Sequence, residues 1–122
     1  MMQAIPIRLE PGDDLKQRID RLAWERGWRA ACVITCAGSL KVAMIRFADQ
    51  ADVTKIQGPL EIISLSGTVA SFGGSHLHIA VGDDKGRVIG GHLKEGCIVR
   101  TTAEIVIGVL EGFAFHREID SR

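Results

Sequence analysis

No stretch of this chain approaches the ~20 consecutive apolar residues that a membrane-crossing helix requires. The opening residues, Met1-Met2-Gln3-Ala4-Ile5-Pro6, lack the basic and apolar regions of a secretory signal, so a cytoplasmic location is the expectation. An excess of charge of one sign is also missing: 15 Lys and Arg stand against 15 Asp and Glu, scattered along the chain. A domain that grips DNA through its phosphates shows a basic excess or a basic face, and none is visible here. Cysteine is scarce and odd in number. Cys32, Cys36 and Cys97 contain no Cys-x-x-Cys pair, which argues against a disulfide framework and against a zinc ribbon. Neither Gly-x-Gly-x-x-Gly nor Gly-x-x-x-x-Gly-Lys-Ser/Thr occurs, so the pairs Gly73-Gly74 and Gly90-Gly91 are not phosphate cradles. They read instead as places for bulges or tight subunit contact.

What is present is mostly strand. The length, 122 residues, suits a single domain spanning 1–122, and no linker, repeat or low-complexity segment divides it. After a first strand at about Met2 to Leu9, Pro11-Gly12-Asp13-Asp14 opens a helix with acidic residues in its first turn. Leu15, Ile19, Leu22 and Ala23 fall on one helical face, and Gly27 is a natural stop. Trp24 lies roughly 180° around from Leu15 at ~100° per residue, either simply exposed or at a subunit contact. From residue 29 the expected strands are Ala30 to Ala37, Leu40 to Ala48 after a turn at Gly38-Ser39, Leu60 to Val69, Ser75 to Val81, Arg87 to Leu93, Cys97 to Leu110 and Phe113 to Ile119. The β-branched Thr102, Ile105, Val106, Ile107 and Val109 favour strand over helix in the sixth of these. The fold class is α+β, a mainly antiparallel sheet with one principal helix. Cys32 and Cys36, four apart in one strand, share a face and read as small core residues.

The stretch from Gly74 to Leu93 carries the chemistry. Two apolar runs flank a turn of Asp, Lys and Gly, the pattern of a β-hairpin. In a strand, residues two apart point to the same side, so His76 and His78 share a face. A loop centred near Asp84 and Lys85 puts His92 about opposite that pair. Three of the chain's four histidines thereby converge. Local hydrogen bonding at a sheet edge is one reading of them. The other is a metal centre, since three neutral imidazoles suit zinc and leave a fourth position for water or a ligand. His116, alone beside Arg117 and Glu118, reads as a surface or interface residue. Glu61 and Glu104 interrupt apolar strands. Each either sits on a solvated face or turns a carboxylate toward the histidines as a general base or a partner of a ligating imidazole.

The ordered segments Glu61-Ile62-Ile63-Ser64-Leu65-Ser66-Gly67-Thr68, Ser75-His76-Leu77-His78-Ile79-Ala80-Val81, Gly86-Arg87-Val88-Ile89-Gly90-Gly91-His92-Leu93 and Thr102-Ala103-Glu104-Ile105-Val106-Ile107 together resemble the PPC (plants and prokaryotes conserved) family, from about Ile7 to about Asp120. Bacterial members are often labelled DNA-binding. The resemblance implies the same α+β layout and a homotrimer. It also implies zinc held by histidines at the positions of His76, His78 and His92. The plant members carry a partner-contacting Arg in the segment matching Gly58-Pro59-Leu60-Glu61. Here Pro59 stands in its place, while Glu61 matches. In relatives a separate AT-hook, with an Arg-Gly-Arg-Pro-like core, makes the minor-groove contacts. This chain has no such core and no helix-turn-helix pair, so weak or indirect DNA binding is expected, with protein partners as the regulatory route. The alternative is a zinc-dependent enzyme acting on a small oxygen-bearing substrate with Glu61 or Glu104 as its acid-base group. That alternative rests on a looser likeness to the fold of acetolactate decarboxylase.

Overall fold

Asp14 sets the start of the helix through both of its carboxylate oxygens. In this computed structural model, which describes residues 1–116, Oδ1 accepts from the Gln17 N–H at 3.1 Å and caps α1 (Leu15–Arg26). Oδ2 accepts from the Gly96 N–H at 2.7 Å and ties the cap to a turn 82 residues away. The acidic pair therefore precedes the helix, whose own first turn holds no acid. Gly27, in the left-handed region at φ 66°, ends it by donating to the carbonyls of Ala23 and Trp24. Leu15, Ile19, Leu22 and Ala23 are buried as the spacing predicts, and Trp24 is 66% exposed.

The strands are β1 (Met2–Leu9), β2 (Ala31–Arg46), β3 (Thr54–Val69), β4 (His76–Gly82), β5 (Val88–Leu93) and β6 (Ile98–Leu110), all paired antiparallel in the order β1-β6-β2-β3-β4-β5. A further short pairing, Ile45 with Leu93 and Arg46 with His92, joins β2 to β5. It closes β2, β3, β4 and β5 into a ring. Leu40, Ile45, Leu60, Ile79, Val99, Ile105 and Ile107 are buried together with the helix's apolar face.

β3 starts at Thr54 and not at the expected Leu60, and three further expectations need correction. β2 runs unbroken through Gly38-Ser39. Gly38 is glycine because β6 crosses tightly there, where a Cβ would collide with the Thr102 carbonyl oxygen. Second, the β2–β6 register shifts between Val33 and Thr35. This bulge turns both Ile34 and Thr35 outward, so Cys36 joins the core while Cys32 stays on the other face. Third, residues 113–116 are not strand, so His116 is an exposed residue beyond β6. The rest of the expected last strand, from Arg117 on, lies outside the described residues.

Candidate metal centre

The hairpin that carries the histidines is fixed by one carboxylate. Asp83 Oδ1 accepts from the Lys85 and Arg87 N–H groups, each at 2.9 Å, and Oδ2 accepts from the Arg87 guanidinium at 2.9 Å. Gly86 takes φ 78° at the tip. With the turn set, Gly82 pairs with Val88 and, four pairs along, His78 faces His92. His76 follows two residues from His78 on the same side. The rings meet at 4.8 Å between centroids for His78 and His92, 5.3 Å for His76 and His78, and 5.9 Å for the stacked His76 and His92.

Each ring offers one nitrogen, and these three atoms lie within 4.8 Å of one another. Around a tetrahedral ion, nitrogens at 2.0–2.1 Å from zinc are about 3.4 Å apart. The widest pair must therefore close by up to about 1.4 Å, within reach of rings that are exposed at His76 and His78. His92 is half-buried, and its pKa is held below the ordinary histidine value. Burial is the main cause, with the charges of Arg46, His78, His76 and Lys94 adding to it. The neutral ring is the form that ligates a metal. The donor set fits zinc.

Gly90 and Gly91 serve the ring closure. A Cβ on Gly91 would stand 2.6 Å from the Arg46 carbonyl oxygen and 2.8 Å from Ile45 Cγ2, and one on Gly90 2.9 Å from the Ile79 carbonyl oxygen. Their lack of side chains also opens one flank of the rings, a cleft shared with Ala48, His78 and His92.

Residues 1–111 match the profile of the Plants and Prokaryotes Conserved (PCC) domain. The chain belongs to this family. A structure described as a hypothetical protein from Salmonella enterica superposes on this PCC domain with a TM-score of 0.95 at 38% identity, covering 99% of this chain and 87% of that one. A metal-containing protein from Archaeoglobus fulgidus does so with a TM-score of 0.81 at 32% identity, covering 98% and 87%. The bifunctional protein GlmU of a Synechococcus strain is 43% identical over 119 residues, 98% of this chain. The PCC domain spans only 19% of that protein's length.

The two candidate carboxylates of the PCC domain lie elsewhere in the chain. Glu61, exposed on β3, pairs with Ser39 and Gly82. His78 faces Ser66, five residues further along β3, roughly 16 Å away at ~3.3 Å per residue. Glu104 faces Arg8 across β1 and β6 and lines a largely apolar groove with Pro6, Thr35 and Val106. The three-His group includes neither. Burial pushes the thiols of Cys36 and Cys97 up to about 11, so neither is a thiolate at neutral pH. Lys16, Arg46 and Lys94, all beside His76 or His92, escaped the sequence reading. Lys94 is two residues from His92 and was within reach of a strand-periodicity argument. Arg46 meets His92 only through the β2–β5 closure.

Proposed function

We propose that this PCC domain is a homotrimeric binding module whose His76, His78 and His92 hold a zinc ion with one coordination position left for a small oxygen-bearing ligand. The observation that carries this reading is the convergence of the three ring nitrogens within 4.8 Å. The metal-containing relative from Archaeoglobus fulgidus supports it. Zinc in an open three-His site supplies Lewis-acid polarisation of a bound oxygen. The residues of the chain orient that ligand: the Asp83 turn holds β4 and β5 in register, and the Gly90-Gly91 flank admits it. Among the described residues the three-His group includes no carboxylate, and binding rather than catalysis is the reading adopted.

Assembly follows from what the outer sheet face leaves uncovered. Met2 is 50% exposed, Ile34 47% and Ile63 55%. Met2 and Ile34 sit together over Gly108, where a Cβ would meet Met2 Sδ at 2.6 Å and Ile34 Cδ1 at 3.1 Å. Apolar surface of this kind is covered in oligomers, and a trimer buries it by symmetry. With zero formal net charge the domain contacts DNA weakly or through protein partners.

Elemental analysis of protein purified without a metal-affinity tag, and again after zinc is offered, tests the site. One zinc per chain, lost when His76, His78 and His92 are all changed to Ala, is the expected result. Absence of stoichiometric metal, or unchanged uptake in the triple variant, overturns it. Sedimentation showing a monomer at micromolar concentration would remove the trimer. A sub-micromolar, salt-sensitive shift of duplex DNA at physiological ionic strength would remove the claim of weak contact.

A further inference from the structure

Ser66 and Thr68 stand on the same sheet face as the histidines, one strand away. Ser66 pairs with His78 and Thr68 with His76 across β3 and β4, so each hydroxyl shares its side of the sheet with an imidazole. The residues between them point the other way: Leu65 and Leu77 are in the core, while Ser66 and Thr68 are exposed. Gly67 takes φ 134°, and a Cβ there would collide with the His76 carbonyl oxygen and stand 3.0 Å from Leu77 Cα. β3 and β4 are therefore pressed together at the point that lies between the two hydroxyl–imidazole pairs, and glycine is what allows it.

Strand order gives Ser66 a distinct place. β4 lies between β3 and β5, so His78 has Ser66 on one side and His92 on the other. The rings of His78 and His92 are 4.8 Å apart between centroids. An imidazole that turns one nitrogen toward the triad turns the other away from it, toward β3. Directly opposed Cβ atoms are about 4.5–5.5 Å apart, a gap that a short hydroxyl side chain and the ring nitrogen nearer the main chain, Nδ1, can close. We infer that Ser66 is a positioning residue of the metal centre: its Oγ accepts from His78 Nδ1–H, which fixes the tautomer and leaves Nε2 for the ion. The inference rests on the metal reading and deepens it by assigning the ligating nitrogen. The two side chains are not hydrogen-bonded in this structure, so the bond is one that forms as the ring turns Nε2 to the ion.

Competition of the full chain with a chelator of known zinc affinity tests this, together with proton–nitrogen correlation NMR of His78 at about pH 8, where an ordinary imidazole is neutral. Ser66→Ala should weaken zinc binding about tenfold, the lower end of the range for losing such a partner. Ser66→Thr, which keeps a hydroxyl, should retain the wild-type affinity. Ser64→Ala removes an exposed hydroxyl from the same face of β3, opposite Ala80 rather than a histidine, and should leave the affinity as it is. In the zinc-loaded wild type the His78 signals should show Nδ1 protonated and Nε2 ligated. Ligation through Nδ1, an unchanged affinity in Ser66→Ala, or an equal loss in Ser64→Ala or Ser66→Thr overturns the inference. If the chain takes up no zinc, the metal reading falls and the His78 tautomer is read on the zinc-free protein. Enrichment of the Nδ1–H form in wild type over Ser66→Ala sustains the pairing there, and equal populations overturn it.

Discussion

Replacing Gly91 by alanine should loosen the ring where β5 meets β2. The backbone at this position is ordinary strand, so the effect is one of space alone. The new Cβ would lie 2.6 Å from the Arg46 carbonyl oxygen and 2.8 Å from Ile45 Cγ2. A carbon and a carbonyl oxygen settle at about 3.3–3.6 Å, so β5 must retreat by roughly 0.7 Å or more. The obstacle is main chain and has no rotamer to escape into. Overpacking of this kind costs about 1–3 kcal/mol, and for a domain of this size each kcal/mol lowers Tm by roughly 3–5 °C. The closure consists of two register pairs, Ile45 with Leu93 and Arg46 with His92, so the retreat threatens both. Chemical denaturation at matched protein concentration gives the stability, and amide exchange at Ile45 and Leu93 reports the closure locally. Gly86→Ala is the control: it meets nothing within 4 Å and bears only the strain of φ 78° at a turn tip. A Gly91→Ala protein within about 0.3 kcal/mol of wild type, with unchanged protection at Ile45 and Leu93, would refute the argument.

Asp14→Ala removes both a helix cap and the tie to Gly96, and should destabilise by about 1–3 kcal/mol; Asp14→Asn, which keeps an acceptor for the cap, should recover part of it in the same denaturation assay. The Asp83 carboxyl is held below the usual carboxylate range, chiefly by the Arg87 backbone N–H, with burial opposing and the Lys85 N–H and the Arg87 guanidinium assisting. The unfolded chain therefore binds that proton more readily, so the turn's stabilisation is complete above the unfolded value of ~3.9 and is lost as pH falls through the lower folded value. Carbon-13 NMR of the Asp83 carboxyl should show a midpoint below that of a model peptide, and a normal midpoint would contradict the hydrogen-bond geometry. Cys36 and Cys97, with thiols raised to about 11, should resist alkylation at pH 8 and react only on unfolding. Mass spectrometry of timed labelling reads this directly, and fast modification of either in the folded protein would be the contrary result.

What was legible in the sequence was local. The helix could be read from a four-residue apolar spacing, an acidic start at Pro11-Gly12-Asp13-Asp14 and a glycine stop, all within or beside its own span, although the acids proved to precede the first turn. The histidine hairpin could be read because strand periodicity and a short turn fix which side chains face each other across about fifteen residues. Features set by distant segments were not legible. Gly38 looks like a turn until β6, more than sixty residues later, is seen pressing on it. The parity of Cys32 and Cys36 is reversed by a bulge that alternation alone does not announce. The positions of Glu61 and Glu104 relative to the histidines depend on strand order. So does the meeting of Arg46 with His92, a product of the closure between β2 and β5.

Both edges of β2 are occupied, one by β3 and the other by β6 and then β5. Ala31 pairs with Val109, and in β1 Met2 pairs with Leu110. On the ribosome, β1 and β2 thus emerge long before the strand that flanks them both. At ~5–20 residues per second, the chain between Arg46 and Leu110 takes roughly 3–13 s to appear. Through that interval two apolar strands present unpaired N–H and C=O rows, the template on which nascent chains join one another. Non-local pairing also folds slowly once complete, on the millisecond-to-second scale. The pace of translation and chaperone cover over those seconds therefore bear on the yield of folded chain, beside the stability of the finished sheet.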